Sequence, residues 1–125
     1  MTEQLPPELQ HQVMKLQQLQ DQLVRVSQER SIVEAELREV ERVLKVLGDL
    51  PEDSAVYRSV GSVLVKVEKK QVEQEYGDRK EILEIRLNKL KEQENLLKEQ
   101  IKKVQEKIKE LSSKNYLVGA GGKGA

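Results

Sequence analysis

The sequence predicts a mainly α protein in which two long helices form an antiparallel coiled coil and a central β-hairpin joins them. Two observations predict this fold class. Apolar residues recur in heptads in both halves of the chain, and a short central stretch alternates in the manner of β-strands. The composition agrees, because charged residues make up 35% and aromatic residues only 2%. A chain of 125 residues fits a single domain.

The first helix is predicted over residues 7–47. Pro6 and Pro7 suit its start, because the N–H that proline lacks would be unpaired in the first turn. Gly48 is predicted to take a positive φ at the helix end, and Pro51 prevents continuation. Apolar residues spaced alternately by three and four form a narrow apolar stripe on one face of the helix, and this stripe packs against a partner helix. The a and d residues are Leu5, Leu9, Leu16, Leu19, Leu23, Val26, Val33, Leu37, Val40, Leu44 and Leu47, interrupted by Gln12 and Arg30.

The second helix is predicted over residues 69–112 and has its own heptad line. Its a and d residues are Tyr76, Leu83, Leu87, Leu90, Leu97, Ile101, Val104, Ile108 and Leu111, interrupted by Glu73, Lys80 and Glu94. The stretch 113–125 that follows is rich in glycine, and its chain entropy predicts a flexible tail.

A β-hairpin is predicted over residues 55–67, between the helices. Residues 55–60 and 62–67 alternate and are rich in valine, and Gly61–Ser62 suits a two-residue type II′ turn. This turn predicts the cross-strand pairs Val60/Val63, Arg58/Val65 and Val56/Val67 on one face, and Ser59/Leu64 and Tyr57/Lys66 on the other.

An isolated two-stranded hairpin is only marginally stable in water and has two open edges. The hairpin is therefore expected to assemble edge to edge with hairpins of other chains. The residues predicted to mediate this assembly are Val56, Tyr57, Val60, Val63, Val65 and Val67.

The charged residues give no reason to expect a nucleic acid or an acidic membrane as partner. Basic and acidic residues balance at 22 each. Lys102, Lys103, Lys107 and Lys109 are interleaved with glutamates, which predicts a solvated face of mixed charge. No apolar stretch approaches the roughly 18 residues of a membrane span and no signal peptide is evident, so a cytoplasmic protein is expected.

The sequence lacks the combinations of residues that catalysis or metal binding requires. His11 is the only histidine and there is no cysteine, so neither a metal site nor a histidine relay is expected. The glycines of residues 119–124 lack the following helix and hydroxyl residue of a phosphate-binding loop. The sequence therefore predicts a protein without enzyme activity, cofactor or metal.

Five short motifs resemble those of one family. The motifs are Pro6–Gln10, Leu16–Gln20, Leu50–Asp53, Val56–Gly61 and Arg86–Asn88. Over essentially its whole length the chain resembles the β class of archaeal prefoldin subunits, with the central hairpin as the most specific part. The resemblance implies a hexamer of two α-class and four β-class subunits whose hairpins form a β-barrel body. It further implies binding of unfolded polypeptides without ATP and their delivery to a group II chaperonin.

If the coiled coils hold unfolded clients, the contacts are expected where the two chain ends meet, because the seam frays there. Met14 lies at a heptad f position, outside the seam, and its flexible thioether suits irregular surfaces. The predicted client-binding residues are Leu5, Leu9, Val13, Met14, Leu111, Tyr116, Leu117 and Val118. The alternative is a structural coiled-coil tether or spacer, which would use the seam without client binding.

Overall fold

The predicted order of elements is present in the structure, a computed structural model that describes the backbone of residues 5–124 and the side chains of residues 5–114. The elements are α1 (Pro7–Asp49), β1 (Val56–Val60), β2 (Val63–Val67) and α2 (Lys69–Gly124). The chain forms two compact units. The terminal unit comprises Met1–Gln28 and Lys91–Ala125, and the hairpin unit comprises Glu29–Leu90.

In the terminal unit, the two helices pack through the predicted heptad residues. Leu19 of α1 and Leu97, Ile101 and Val104 of α2 are buried in one cluster. The residues that pack against this cluster are Leu16, Leu23, Val26 and Ile108, all partly buried. Ser27, at the end of the α1 segment of this unit, is hydrogen-bonded to Glu94, at the start of its α2 segment, so the helices run antiparallel here.

Glu94 is the one polar residue buried with the apolar side chains of the terminal unit, within the described part of the chain. Its carboxylate accepts a hydrogen bond from the Ser27 hydroxyl of α1, with 3.2 Å between the oxygens. A buried carboxylate needs such partners because its desolvation is costly. The heptad interruption at Glu94 is therefore accommodated inside the seam and does not turn outward.

In the hairpin unit, the seam continues on both helices. The buried residues are Val33, Val40 and Leu47 of α1, and Val72, Leu83, Leu87 and Leu90 of α2. An ion pair between Glu29 and Arg86 joins the two helices beside the seam. Arg58 of β1 pairs with Glu75 of α2, which ties the hairpin to the second helix.

The end of α1 corrects the prediction for Gly48. In the described residues positive φ occurs at Gly61 alone, so Gly48 is helical and α1 continues to Asp49. Pro51 accounts for the end, because a proline disfavours the helical conformation of the residue before it. Leu50 instead donates from its N–H to the Leu47 carbonyl at 3.2 Å, and its own carbonyl accepts from the Lys69 ammonium at 2.7 Å.

The end of α2 also differs from the prediction. The helix continues to Gly124, although it was expected to end near residue 112. Residues 112–124 contain no proline, and each glycine in a helix costs only about 1 kcal/mol relative to alanine, so the sequence holds no strict stop signal. The predicted flexibility of residues 113–125 concerns motion and stays a prediction.

The hairpin has the predicted register. β1 and β2 are antiparallel, and the pairs are Val56 with Val67, Tyr57 with Lys66, Arg58 with Val65, Ser59 with Leu64 and Val60 with Val63. Gly61 has a φ of 60°, whereas no described non-glycine residue has a positive φ. A type I′ turn would need positive φ at Ser62 as well, so the turn is type II′, as predicted.

Gly61 and Gly77 provide a matched pair of substitutions. An added Cβ would meet no atom within 4 Å at either position, so only the backbone decides the effect. We expect Gly61→Ala to destabilise the protein by about 1–2 kcal/mol, because L-residues are strained at this φ. Gly77→Ala lies within α2 and should stabilise by about 0.5–1 kcal/mol. Thermal unfolding followed by circular dichroism at equal chain concentration checks both; shifts in the same direction would contradict this account of the turn.

Candidate assembly and client-binding surfaces

The hairpin carries a group of exposed apolar side chains, which we call the hairpin surface. Its members are Tyr57, Val60, Val63, Leu64 and Val65. The sheet has only two strands, so one edge of each strand has no partner strand in the described residues. Free backbone edges beside exposed apolar side chains are the features through which sheets pair with other chains.

The structure distinguishes two groups among the predicted assembly residues. Tyr57, Val60, Val63 and Val65 are exposed, whereas Val56 and Val67 are half-buried at the end of the hairpin next to the helices. Leu64, which is 69% exposed, was not among the predicted assembly residues; it pairs with Ser59 on the face that also carries Tyr57 and Lys66. Apolar contact area is thus available on both faces of the hairpin.

A cleft of about 460 Å³ lies in the hairpin unit where the hairpin meets the helices. Its apolar lining residues include Val43, Val46, Leu47, Val56, Val67 and Val72. Arg42 and Arg58 are its charged lining residues, and β1 contributes four consecutive residues, Val56–Ser59. The cleft is therefore an apolar concavity beside one open edge of the sheet.

The predicted client-binding residues form a second group, in the terminal unit. Met14 is 60% exposed and Leu5 is 48% exposed, and Val13 and Leu111 are half-buried. Leu9 is only 5% exposed, so it belongs to the core and offers no surface to a client in this conformation. The side chains of Tyr116, Leu117 and Val118 lie outside those that the structure describes.

We call the exposed and half-buried members of this group near the start of the chain, Leu5, Val13 and Met14, the terminal surface. Met14 lines a depression on α1 together with His11, Lys15 and Gln18. An unbranched thioether among long polar side chains can adapt its shape to different apolar groups. This chemistry suits weak contact with varied apolar segments more than tight binding of one defined ligand.

The described residues contain neither a membrane-spanning helix nor a metal-binding cluster. No helix among them is both long and apolar enough to cross a bilayer. No three of their His, Cys, Asp and Glu side chains are grouped so as to hold a metal ion.

The comparisons with known proteins agree on one family. A family model described as "Prefoldin subunit" matches residues 10–115. The prefoldin subunit beta of Sulfolobus acidocaldarius is 51% identical over 124 residues, which span 98% of this chain and 99% of the relative. That of Sulfurisphaera tokodaii is 53% identical over 95 residues, 76% of each chain.

A solved structure agrees with the sequence matches. The crystal structure of the prefoldin beta subunit from Thermococcus strain KS-1 matches with a TM-score of 0.80 at 35% identity. The match covers 87% of this chain and 96% of that chain. Sequence and fold thus agree along most of the molecule, and the chain belongs to the prefoldin β subunit family.

Proposed function

We propose that this chain is a subunit of an ATP-independent chaperone that holds unfolded polypeptides and delivers them to a group II chaperonin. The proposal places the chain with α-class subunits in a hexamer of two α-class and four β-class chains in the cytoplasm. The observation that carries it is the uncovered apolar hairpin surface in a member of the prefoldin β subunit family. Holding requires no chemical step, so the proposed subunit is not an enzyme and needs no cofactor.

The exposed apolar area of the hairpin supports assembly through the hairpins. Val60, Val63 and Leu64 are each more than half exposed, and burying the rest of such aliphatic side chains stabilises by about 1–2 kcal/mol each. A two-stranded hairpin without further strands is marginal in water. Association of several hairpins would cover these residues and satisfy the open strand edges, which supports a body built from strands of many chains.

Client holding is assigned to the terminal surface because it combines exposure with adaptable chemistry. Leu5 and Met14 supply exposed apolar area, whereas Leu9 is buried. One such surface is small, so its affinity for an unfolded chain should be low. Several copies in one assembly could bind one client together, which raises the overall affinity by about 10²- to 10⁴-fold without new contacts.

The proposed holding activity can be tested by light scattering. A denatured client is diluted into buffer with the chain assembled with an α-class partner. The full-length assembly should suppress aggregation, and an assembly whose β-class chains lack residues 1–14 and 111–125 should lose this suppression. Native mass spectrometry must show that both assemblies are intact. If neither assembly suppresses aggregation, the chaperone proposal fails and the structural spacer takes its place.

A further inference from the structure

We propose that Met14 is a reversible oxidation site, and that its conversion to the sulfoxide by a small peroxide releases clients from the terminal surface. This inference rests on the proposed function, because it concerns the surface to which client holding is assigned. It goes further by naming the atom that is modified, the Met14 sulfur, and the chemical class of the reagent that modifies it.

Met14 presents its sulfur to solvent. The chain contains no cysteine and two methionines, of which Met1 lies outside the described residues. The Met14 side chain is 60% exposed on α1, so a small oxidant can reach the thioether without any opening of the helices. Met14 is at a heptad f position, and no a or d residue of either helix contains sulfur. Oxidation at Met14 should therefore change the surface and leave the buried seam as it is.

The reaction needs only the thioether and the peroxide. The Met14 sulfur attacks one peroxide oxygen, an S–O bond forms, and the O–O bond breaks. Two electrons pass from sulfur to the peroxide, and the proton on the transferred oxygen goes to the departing hydroxide, which leaves as water. The product is methionine sulfoxide, which methionine sulfoxide reductases convert back to the thioether. The modification is thus reversible.

The side chains around Met14 suit the sulfoxide better than the thioether. Met14 lines its depression with His11, Lys15 and Gln18, and each of these three carries N–H donors. His11 and Gln18 are three residues before and four residues after Met14, so they are its neighbours on the helix surface. A thioether is a weak acceptor, whereas the sulfoxide oxygen accepts hydrogen bonds well. The oxidised side chain can therefore be held against its own helix by donors that already surround it.

Oxidation removes the larger exposed apolar contribution to the terminal surface. Met14 is 60% exposed and Leu5 is 48% exposed, whereas Val13 is half-buried. An apolar client segment that covered the sulfoxide would strip its oxygen of hydrogen bonds, which is costly. Every copy in an assembly can be oxidised, and several copies are proposed to hold one client together. A modest loss at each surface should therefore become a large loss for the assembly.

Peroxide treatment of the chain before assembly tests this proposal. The chain is oxidised alone, the peroxide is removed, and the chain is then assembled with an untreated α-class partner, so that the partner and the client keep their own methionines. Peptide mass spectrometry should locate one added oxygen on Met14. Half-maximal suppression of client aggregation should require about tenfold more of the oxidised assembly than of the untreated one. Treatment of the oxidised chain with methionine sulfoxide reductase should restore the untreated value.

Met14→Leu is the matched control, because leucine is apolar, has a similar volume and contains no sulfur. Its suppression before peroxide treatment is its own reference, and the value after treatment should equal it, although Met1 keeps its sulfur. Circular dichroism should show the same helicity for the unchanged chain before and after oxidation. Loss of suppression by treated Met14→Leu, or loss of helix on oxidation of Met14, would overturn the proposal, because the effect would then arise elsewhere than at this surface.

The untreated assembly reports on the proposed function separately. If it does not suppress aggregation, the holding proposal fails and this inference fails with it. If it suppresses aggregation and continues to do so when mass spectrometry shows Met14 to be oxidised, only this inference is overturned. The two failures are therefore distinguishable in one experiment.

Discussion

Leu97→Ala should lower the stability of the protein by about 2–5 kcal/mol. Leu97 is 9% exposed and belongs to the buried cluster of the terminal unit with Leu19, Ile101 and Val104. A seam between only two helices has no second layer to collapse into the space, so most of the cavity should remain. The lost burial and the remaining cavity both reduce stability.

Leu96 is the control for this substitution, because it is the same residue type one position away. It is 55% exposed, so Leu96→Ala should change stability by less than about 0.5 kcal/mol. Thermal unfolding of both variants at one chain concentration measures the difference. Similar losses of stability for Leu96→Ala and Leu97→Ala would mean that the heptad line does not form the core.

The double substitution Val60→Lys with Val63→Glu should abolish assembly while leaving the hairpin formed. The two residues are directly opposite each other in the sheet. Opposite charges at such a pair stabilise a hairpin by about 0.2–1 kcal/mol, so the turn and register should persist. The apolar area that the hairpin surface offers to other chains is nevertheless replaced by charge, whose burial in an interface is costly.

Native mass spectrometry with an α-class partner measures this loss as a fall from the assembled mass to single chains. Val60→Ile with Val63→Ile is the control, since it keeps the surface apolar and should keep the assembly. An assembly of unchanged mass from the charged variant would show that the chains associate through another surface. That outcome would remove the basis for hairpin-mediated assembly.

Most of the fold could be predicted because the heptad repeat of the helices and the two-residue alternation of the strands are both unambiguous. A heptad pattern gives each helix one apolar stripe, formed by its a and d residues, that must be buried. The buried residues Leu19, Val33, Val40 and Leu97 all lie on these stripes. The hairpin register could be predicted because a two-residue turn allows one pairing, with Val60 opposite Val63. In both cases a local pattern fixes the geometry without help from distant parts of the chain.

The helix ends could not be predicted as well, because glycine permits several conformations. Gly48 can end a helix by taking a positive φ, but it can also remain helical, and Pro51 decides the outcome two residues later than expected. The glycine-rich stretch after Leu111 was predicted to be a flexible tail because of its chain entropy, yet α2 continues to Gly124. Glycine lowers helix stability gradually, whereas proline removes a donor and adds a clash, so only proline marks an end reliably.

The surfaces were predicted only in part, because exposure depends on packing. Leu9 and Leu5 are both heptad residues near the start of α1, yet Leu9 is buried and Leu5 is exposed. Val56 and Leu64 differ likewise, since Val56 is half-buried beside the helices and Leu64 is not covered by the described part of its own chain. Alternation predicts which side chains share a face, but not which face the helices cover.

The most direct test of the central claim asks where an unfolded client touches the assembled chain. A photo-crosslinking amino acid is placed at Met14 or at Val24, which are 60% and 54% exposed and both lie on α1 in the terminal unit. Each variant is assembled with an α-class partner, mixed with a denatured client and irradiated. The account predicts client crosslinks from Met14 and few from Val24. Equal crosslinking from both positions, or crosslinking from Val24 alone, would contradict the assignment of client holding to the terminal surface.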